Sequence, residues 1–127
     1  MNRTITVRVG PVEHARREFK EDLVVAAKGG RLRRRREIWF ANLEEAARIL
    51  TEQRLALLRL VSQKQPRSTA DLARMAHRSL NRVAADLHVL ARLGLVQLLG
   101  EGGAQRPVAA CGRIQLAGDL TLPRAAA

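Results

Sequence analysis

The segment at residues 68–96, STADLARMAHRSLNRVAADLHVLARLGLV, is the feature that most constrains this chain. Apolar residues recur in it at intervals of three and four positions, as they do on one face of an α-helix. Ser68 and Ser79 each precede one such run, and a serine hydroxyl at this position accepts a free backbone N–H of the first turn. Gly94 follows the second run and suits the left-handed residue that ends a helix. The segment therefore predicts two short helices joined by a tight turn.

The two predicted helices each have an apolar side and a polar side. Asp71 is placed to return a hydrogen bond to Ser68 as part of a capping box at the first helix. The predicted buried residues are Leu72, Ala73 and Ala76 in the first helix and Val83, Leu87 and Leu90 in the second. The predicted outward-facing residues of the second helix are Asn81, Arg82, Ala85 and Asp86.

This pattern is typical of a helix-turn-helix, in which the start of the second helix enters the major groove of DNA. Arginine pairs with guanine and asparagine with adenine through two hydrogen bonds each, whereas side chains near helix N-termini hold phosphate. An ordinary pair of amphipathic helices, with the polar residues merely solvated, is the alternative. The predicted DNA-binding residues are Ser68, Arg78, Ser79, Asn81, Arg82, Ala85 and, further along the chain, Arg106.

The first forty residues predict a strand, a helix and a second strand. TITVRV at residues 4–9 alternates polar and apolar residues, whereas residues 11–28 carry an apolar stripe at helical spacing. RLRRRREIWF at residues 31–40 is the predicted second strand. The predicted inward-facing residues of the two strands are Ile5, Val7, Val9, Ile38 and Phe40. Such a unit buries little apolar area alone, so we expect it to pack on the helices that follow or on a second copy.

The remaining segments complete an α+β, mainly helical fold, a winged helix-turn-helix with an N-terminal strand-helix-strand extension. Asn42 and Thr51 are predicted to cap two helices, and Pro66 lies in the connection to the helix-turn-helix. The apolar run at residues 95–99, a turn, and strands at 107–110 and 113–116 predict the wing, with Arg106 at or near its tip. The predicted division is residues 1–40 as the extension, 41–118 as the winged domain and 119–127 as a flexible tail.

Composition favours a polyanionic partner. The 127 residues carry 23 Lys and Arg against 12 Asp and Glu, a net charge of +11, and twenty of the basic residues are arginine. Such a field attracts DNA or an acidic protein, although a GC-rich coding bias would raise the arginine content without any such partner. The single cysteine, Cys111, forms no internal disulfide, and no apolar run spans a bilayer or resembles a signal peptide. We therefore expect a cytoplasmic protein without membrane association.

The titratable residues argue against an enzyme. His14, His77 and His88 fall on three different predicted elements, and no Ser-His-Asp set, glutamate pair or glycine-rich phosphate loop is present. No cysteine or carboxylate accompanies a histidine at metal-ligand spacing. The sequence therefore predicts no catalytic activity, no metal and no cofactor.

Three stretches, together with the helix-turn-helix at residues 68–96, resemble a known group of proteins. FANLEEAARILTEQRLALLRLV, LGLVQLL and RPVAACGRIQL, with the pattern LT-x-x-R at residues 50–54 and Arg106-Pro107 in the wing, are similar to small winged-helix DNA-binding proteins of bacteria and archaea related to the MarR group. Members of this group often lie beside a small toxin gene. The resemblance implies an antitoxin that binds its toxin and represses its own operon.

Partner contacts remain open between several interpretations. A two-fold dimer is expected, because one recognition helix reads too few base pairs to select an operator. The helix at residues 11–28 or strand addition by residues 4–9 could form the interface, or that helix could cap the domain within one chain. The arginine run at residues 31–36 could grip DNA, bind an acidic toxin or keep a strand edge solvated. The predicted dimer or partner contacts are Phe19, Leu23, Arg33, Arg34, Arg35 and Arg36.

The alternative function is a protein-interaction module that binds an acidic partner without reading DNA. In that case substitution of Arg82 leaves partner binding intact, whereas charge reversal across residues 33–36 abolishes it. The two functions are compatible with each other in an antitoxin.

Overall fold

A computed structural model describes residues 3–10, 36–101 and 105–118. Its elements, in chain order, are β1 (Thr4–Val9), β2 (Glu37–Phe40), α1 (Leu43–Ile49), α2 (Glu52–Lys64), α3 (Thr69–Ala76), α4 (Leu80–Arg92), β3 (Val96–Leu99), β4 (Arg106–Ala109) and β5 (Arg113–Gly118). Helices α2, α3 and α4 followed by the β3–β4 hairpin form a winged helix-turn-helix, which confirms the predicted fold class. The predicted helix at residues 11–28, the first part of the predicted second strand and the predicted tail lie outside the described residues.

The four helices of the described residues begin at the predicted N-cap residues. The side chains of Asn42, Thr51, Ser68 and Ser79 each accept a hydrogen bond from the backbone N–H three residues further on. The predicted capping box at α3 is wrong in its second half. Asp71 Oδ2 accepts the backbone N–H of Arg67 at 3.1 Å, one residue before the cap, and this hydrogen bond lowers the pKa of Asp71.

A residue with a left-handed backbone conformation follows each of the two helices α3 and α4, and the one at Gly94 was predicted. His77, with φ 55°, ends α3, and its N–H returns to Arg74 O at 3.2 Å. Gly94, with φ 78°, follows α4. A Cβ at Gly94 would meet no atom within 4 Å, so its backbone conformation rather than close packing favours glycine there.

The main core lies between α2, α3, α4 and the base of the wing. The five predicted helix residues that are fully buried there are Leu72, Ala73, Val83, Leu87 and Leu90, and Ala76 packs against them partly buried. Ile5 of β1 belongs to the same cluster. The N-terminal strand therefore packs on the helices that follow it, which was one of the two arrangements expected.

A three-stranded parallel sheet, ordered β2-β1-β5, joins the N-terminal strands to the C-terminal strand. The prediction that residues 113–116 belong to the wing is wrong, because these residues pair with β1 in the register Ile5↔Ile114 and Val7↔Leu116. The apolar residues of β5 thereby align with the apolar residues of β1. Strand addition by β1 is also wrong as a route to a dimer, since β1 is paired along both edges. The predicted domain division at residue 40 stays a prediction.

The wing in the described residues is the antiparallel β3–β4 hairpin, in which Val96 pairs with Ala109 and Leu99 with Arg106. Arg106 lies at the end of the hairpin next to its turn, as predicted. The wing is tied to α3 because Gln105 O accepts the N–H of Thr69 at 3.1 Å and its hydroxyl at 3.4 Å. The hairpin and the start of α3 are therefore held side by side.

Candidate DNA-binding surface

The start of α4 presents a polar surface on a firmly anchored helix. Asn81, Arg82 and Ala85 are exposed, as predicted, whereas Val83 and Leu87 on the opposite side are buried. Arg82 forms no ion pair within residues 3–10, 36–101 and 105–118. The exposed residues lie in the first two turns, where a recognition helix meets base edges. Their contact with DNA stays a prediction.

Asp86 does not face outward, and this part of the prediction is wrong. Its side chain is only 14% exposed and lies between two arginines. Oδ1 accepts a hydrogen bond from Nε of Arg54 at 3.0 Å. Oδ2 accepts one from Nη2 of Arg78 at 2.8 Å. Both guanidinium groups are themselves half-buried, so the carboxylate compensates two charges that are partly withdrawn from water. We call these three residues the Asp86 cluster.

Arg78 therefore contributes to the position of α4 rather than standing free in solvent. It lies in the turn between α3 and α4, and its other terminal nitrogen, Nη1, is buried without a hydrogen-bond partner among the described residues. The ion pair with Asp86 fixes the turn against the second turn of α4. A direct contact of Arg78 with phosphate stays a prediction.

The LT-x-x-R pattern has a structural explanation in the same cluster. Thr51 caps α2 by accepting the N–H of Arg54, and the Arg54 side chain donates both to Asp86 and to the carbonyl oxygen of Ile49 at 2.7 Å. Arg54 thus joins the end of α1, the start of α2 and α4. Sequence reasoning missed this partnership, although an acidic residue on an otherwise basic recognition helix was the available signal.

Four arginines surround a polar groove of about 710 Å³ beside the wing, here called the arginine groove. Arg3 precedes β1, Arg36 precedes β2, Arg67 precedes α3, and Arg106 begins β4. No acidic residue occurs among the described residues that line it. Arg36 is held there because its Nη1 donates to Ala110 O at 3.1 Å. The groove is therefore a site of concentrated positive charge between the wing and the N-terminal strands.

The remaining predicted contacts are those of the N-terminal extension and the two serine caps. Phe19, Leu23, Arg33, Arg34 and Arg35 lie outside the described residues. Ser68 is half-buried, and its hydroxyl accepts a hydrogen bond from the backbone N–H of Asp71 at 3.0 Å. Ser79 also caps its helix but is exposed. Of the two helix N-termini, that of α4 is thus the more accessible.

Three further properties of the described residues concern metal binding, thiol reactivity and membrane insertion. In the described ranges no three His, Cys, Asp or Glu side chains are grouped as a metal ion would need. Burial raises the pKa of the Cys111 thiol, so it is less reactive than an exposed cysteine. None of the described helices is both long and apolar enough to cross a membrane.

The fold and this surface define a winged helix-turn-helix protein. The model of the HVO_A0114 family matches residues 49–116, which is more than half of the chain, and the chain belongs to that family. The match extends from the end of α1 to β5 and so includes the Asp86 cluster, α4 and the wing. No curated protein matches the chain.

Two solved structures are similar to parts of the chain. One is the homodimeric winged helix-turn-helix DNA-binding domain Mb0332 from Mycobacterium bovis, with 28% identity over 54% of this chain and a TM-score of 0.44. The other is the multiple antibiotic-resistance repressor MarR from Listeria monocytogenes, with 20% identity over 77% of this chain and a TM-score of 0.45. The chain spans 66% and 60% of the lengths of these two proteins.

Proposed function

We propose that this protein is a sequence-specific DNA-binding transcriptional regulator that binds its operator as a homodimer. The observation that carries the proposal is the start of α4, where Asn81 and Arg82 project from a helix whose opposite side is buried and whose turn is fixed by the Asp86 cluster. Rigid placement favours base readout, because a bidentate pair with a base edge needs its donors in a fixed position.

The proposed roles of the two base-reading residues follow from their chemistry. Arg82 donates two hydrogen bonds to guanine O6 and N7, and Asn81 pairs with the N6 and N7 edge of adenine. Ala85, one turn further along α4, is small enough to lie against a thymine methyl group. Ser79 and the exposed N-terminus of α4 contact a phosphate.

The arginine groove supplies the sequence-independent part of the affinity. Arg106 on the wing and Arg67 before α3 lie on the elements that flank α4, and Arg36 and Arg3 continue the positive surface onto the N-terminal strands. Each arginine that neutralises a phosphate releases counterions, so affinity falls steeply with salt. Of the alternatives for the arginine run, this placement of Arg36 favours a grip on the DNA backbone.

The test is binding of the purified protein to a labelled fragment of its own upstream region, titrated against a scrambled fragment at two salt concentrations. Arg82→Ala is expected to lower specific affinity by about 1–3 kcal/mol and to relax the preference at one base pair. Arg92→Ala is the matched control, because it removes the same charge about 15 Å away at the other end of α4. Its effect on base preference should be nil.

Three outcomes separate the functions. A preference for the upstream fragment that Arg82→Ala weakens, while Arg92→Ala does not, supports the regulator. Equal, steeply salt-dependent binding to both fragments contradicts sequence-specific readout. Absence of binding at physiological salt favours the protein-interaction module, for which charge reversal across residues 33–36 would then abolish capture of an acidic partner.

The finer proposal is that the protein is an antitoxin that neutralises a cognate toxin and represses its own operon. Its support is the sequence resemblance alone. Co-expression with the product of the adjacent small gene tests it, since an antitoxin restores growth and co-purifies with that product. Normal growth of cells that express the adjacent gene alone would contradict the antitoxin role and leave DNA binding unaffected.

A further inference from the structure

The apolar side of the three-stranded sheet continues to an edge that the described chain leaves uncovered. Val7 and Leu116 are register partners on neighbouring parallel strands and so share one face of the sheet. Val7 is 0% exposed, whereas Leu116 is 73% exposed, the highest value among the large hydrophobic residues described. Among the described residues, the apolar face of the sheet is therefore buried at β1 and exposed at the β5 edge.

The backbone hydrogen bonds show which groups of β5 point toward this edge. Thr6 N–H donates to Arg36 O, so the even-numbered residues of β1 face β2 and the odd-numbered ones face β5. Arg113 N–H donates to Arg3 O, which places the odd-numbered groups of β5 toward β1. The N–H and C=O groups of Ile114 and Leu116 consequently point outward. Within the described chain no strand pairs with them.

The opposite edge of the sheet, at β2, is protected in a way that β5 is not. Its outward N–H at Ala41 already donates to Glu45 Oε2 at 2.9 Å. Glu37 places a charged group on this short edge strand, and its carboxylate binds Arg8 and Trp39. Charged side chains and short length are common protections of an edge against pairing. On β5 the residues whose backbone groups point outward are the apolar Ile114 and Leu116, and the charged Arg113 lies at the start of the strand.

A groove of about 640 Å³ adjoins the β5 edge and is lined mainly by apolar side chains of α1, α2 and β5. Arg113, Ile114 and Leu116 line it from β5, and Leu43, 64% exposed, lines it from α1. A strand added at β5 would place one of its side chains over this groove. The edge and the groove therefore form one continuous surface.

We infer that β5 pairs antiparallel with β5 of a second copy, about a two-fold axis at Gln115. This inference deepens the proposed function, since it supplies the interface of the dimeric regulator. In this register Ile114 faces the partner's Leu116, and their outward backbone groups exchange hydrogen bonds. Arg113 faces the partner's Ala117, so no like charges oppose each other across the axis. The strand is thus complementary to itself.

The same register seats an apolar side chain in the groove. The partner's Leu116, opposite Ile114, lies on the groove side of the sheet because paired residues share a face. By symmetry each copy gives one leucine and receives one. A six-stranded sheet with both leucines covered results, and both strand edges at β5 are satisfied.

Cysteine cross-linking tests the register. Gln115→Cys, made in a Cys111→Ser background, lies at the two-fold axis opposite its own copy, where a non-hydrogen-bonded pair has Cα atoms about 4.5 Å apart and forms a disulfide readily. The matched control is Arg113→Cys on the same exposed strand, whose copies lie about 13 Å apart in this register. Mild oxidation should produce a covalent dimer of the first variant only. A dimer that cross-links equally at both positions, or at neither, overturns the register.

Oligomeric state tests the surface itself, measured without DNA by sedimentation equilibrium. Leu116→Lys should weaken the dimer about 100-fold, because each copy loses a buried leucine and places a charge in an apolar groove. Leu99→Lys, an exposed leucine on the wing, should leave dimerisation unchanged, and circular dichroism verifies that both variants fold. A wild-type monomer, or a Leu116→Lys variant that dimerises normally, overturns the inference. A wild-type monomer would also remove the homodimer from the proposed function, but DNA binding by the same sample would still support a DNA-binding regulator. Failure of the interface is therefore distinguished from failure of DNA binding.

Discussion

Replacement of Asp86 by alanine should markedly destabilise this protein. Asp86 accepts two charge-assisted hydrogen bonds, from Arg54 at 3.0 Å and from Arg78 at 2.8 Å. The variant removes the carboxylate from both guanidinium groups. Arg54 keeps its hydrogen bond to the carbonyl oxygen of Ile49, whereas Nη1 of Arg78 already lacks a partner among the described residues. The cost therefore includes the burial of guanidinium N–H groups that no longer have an acceptor, in addition to the two lost hydrogen bonds.

The magnitude follows from the burial of the three side chains. Hydrogen bonds to charged groups contribute about 1.5–3 kcal/mol each, and removal of one partner from a fully buried pair costs about 3–5 kcal/mol. Asp86 is 14% exposed and the arginines 22% and 19%, so water recovers part of the loss. We expect a decrease of about 3 kcal/mol in the free energy of unfolding, a large share of the total of about 5–15 kcal/mol typical of a domain.

Urea unfolding followed by far-UV circular dichroism measures this change. Glu101→Ala, which removes the same charge from an exposed loop, is the control and should lie within about 0.5 kcal/mol of the wild type. A double-mutant cycle with Arg54→Ala then isolates the pairwise term, expected at about 1–2 kcal/mol. Specific DNA affinity should fall as well, because the turn before α4 loses its tether.

Two results would refute this reasoning. If Asp86→Ala unfolds within about 0.5 kcal/mol of the wild type, the cluster does not stabilise the fold. If Asp86→Ala and Arg54→Ala are additive, the two residues act independently and the Arg54 side chain stabilises the protein through Ile49 alone.

Two further predictions concern the arginine groove and the single cysteine. Arg36→Ala and Arg106→Ala should each reduce the magnitude of the slope of log affinity against log salt by about 1 and weaken binding to all DNA sequences alike. Arg48→Ala on α1 is the control and should leave the slope unchanged. Unchanged slopes for the two groove variants in salt titrations would show that the arginine groove does not contact DNA. Because burial raises the pKa of Cys111, the alkylation of Cys111 by iodoacetamide should reach half its maximal rate at a higher pH than the alkylation of glutathione does. A half-maximal rate at the same pH as for glutathione, or at a lower one, would contradict a raised pKa.

Local signals explain why the helices could be predicted from the sequence. Ser68, Ser79 and Gly94 act through backbone groups within a few residues of themselves, and apolar spacing within one helix determines which side is buried. The same signals located the wing hairpin, since β3 and β4 are adjacent in the chain. Most of the winged helix-turn-helix was therefore predictable without knowledge of distant contacts.

Contacts between distant segments were not predictable in the same way. Residues 113–116 have the alternation of a strand, but alternation does not say which strand they join, and β1 lies more than a hundred residues away. Helical spacing alone assigns Asp86 to the polar side of α4, and only the packing of α2 against that helix brings Arg54 to it. Both errors arose because a helix face or strand face was assigned without its neighbours.

The short connection from β4 to β5 links the wing to the sheet and so links the two proposed interfaces. Ala110 N–H donates to Leu95 O at the base of the wing, and Ala110 O accepts the guanidinium of Arg36. Two residues later, Gly112 N–H donates to Arg3 O as β5 begins. With a two-fold axis at β5, these bonds fix the orientation of each wing and each α4 relative to that axis. The spacing of operator half-sites would then be set by the sheet. Variants that break the hydrogen bond from Gly112 N–H to Arg3 O should broaden the range of half-site spacings that the dimer accepts, without changing the base preference within a half-site.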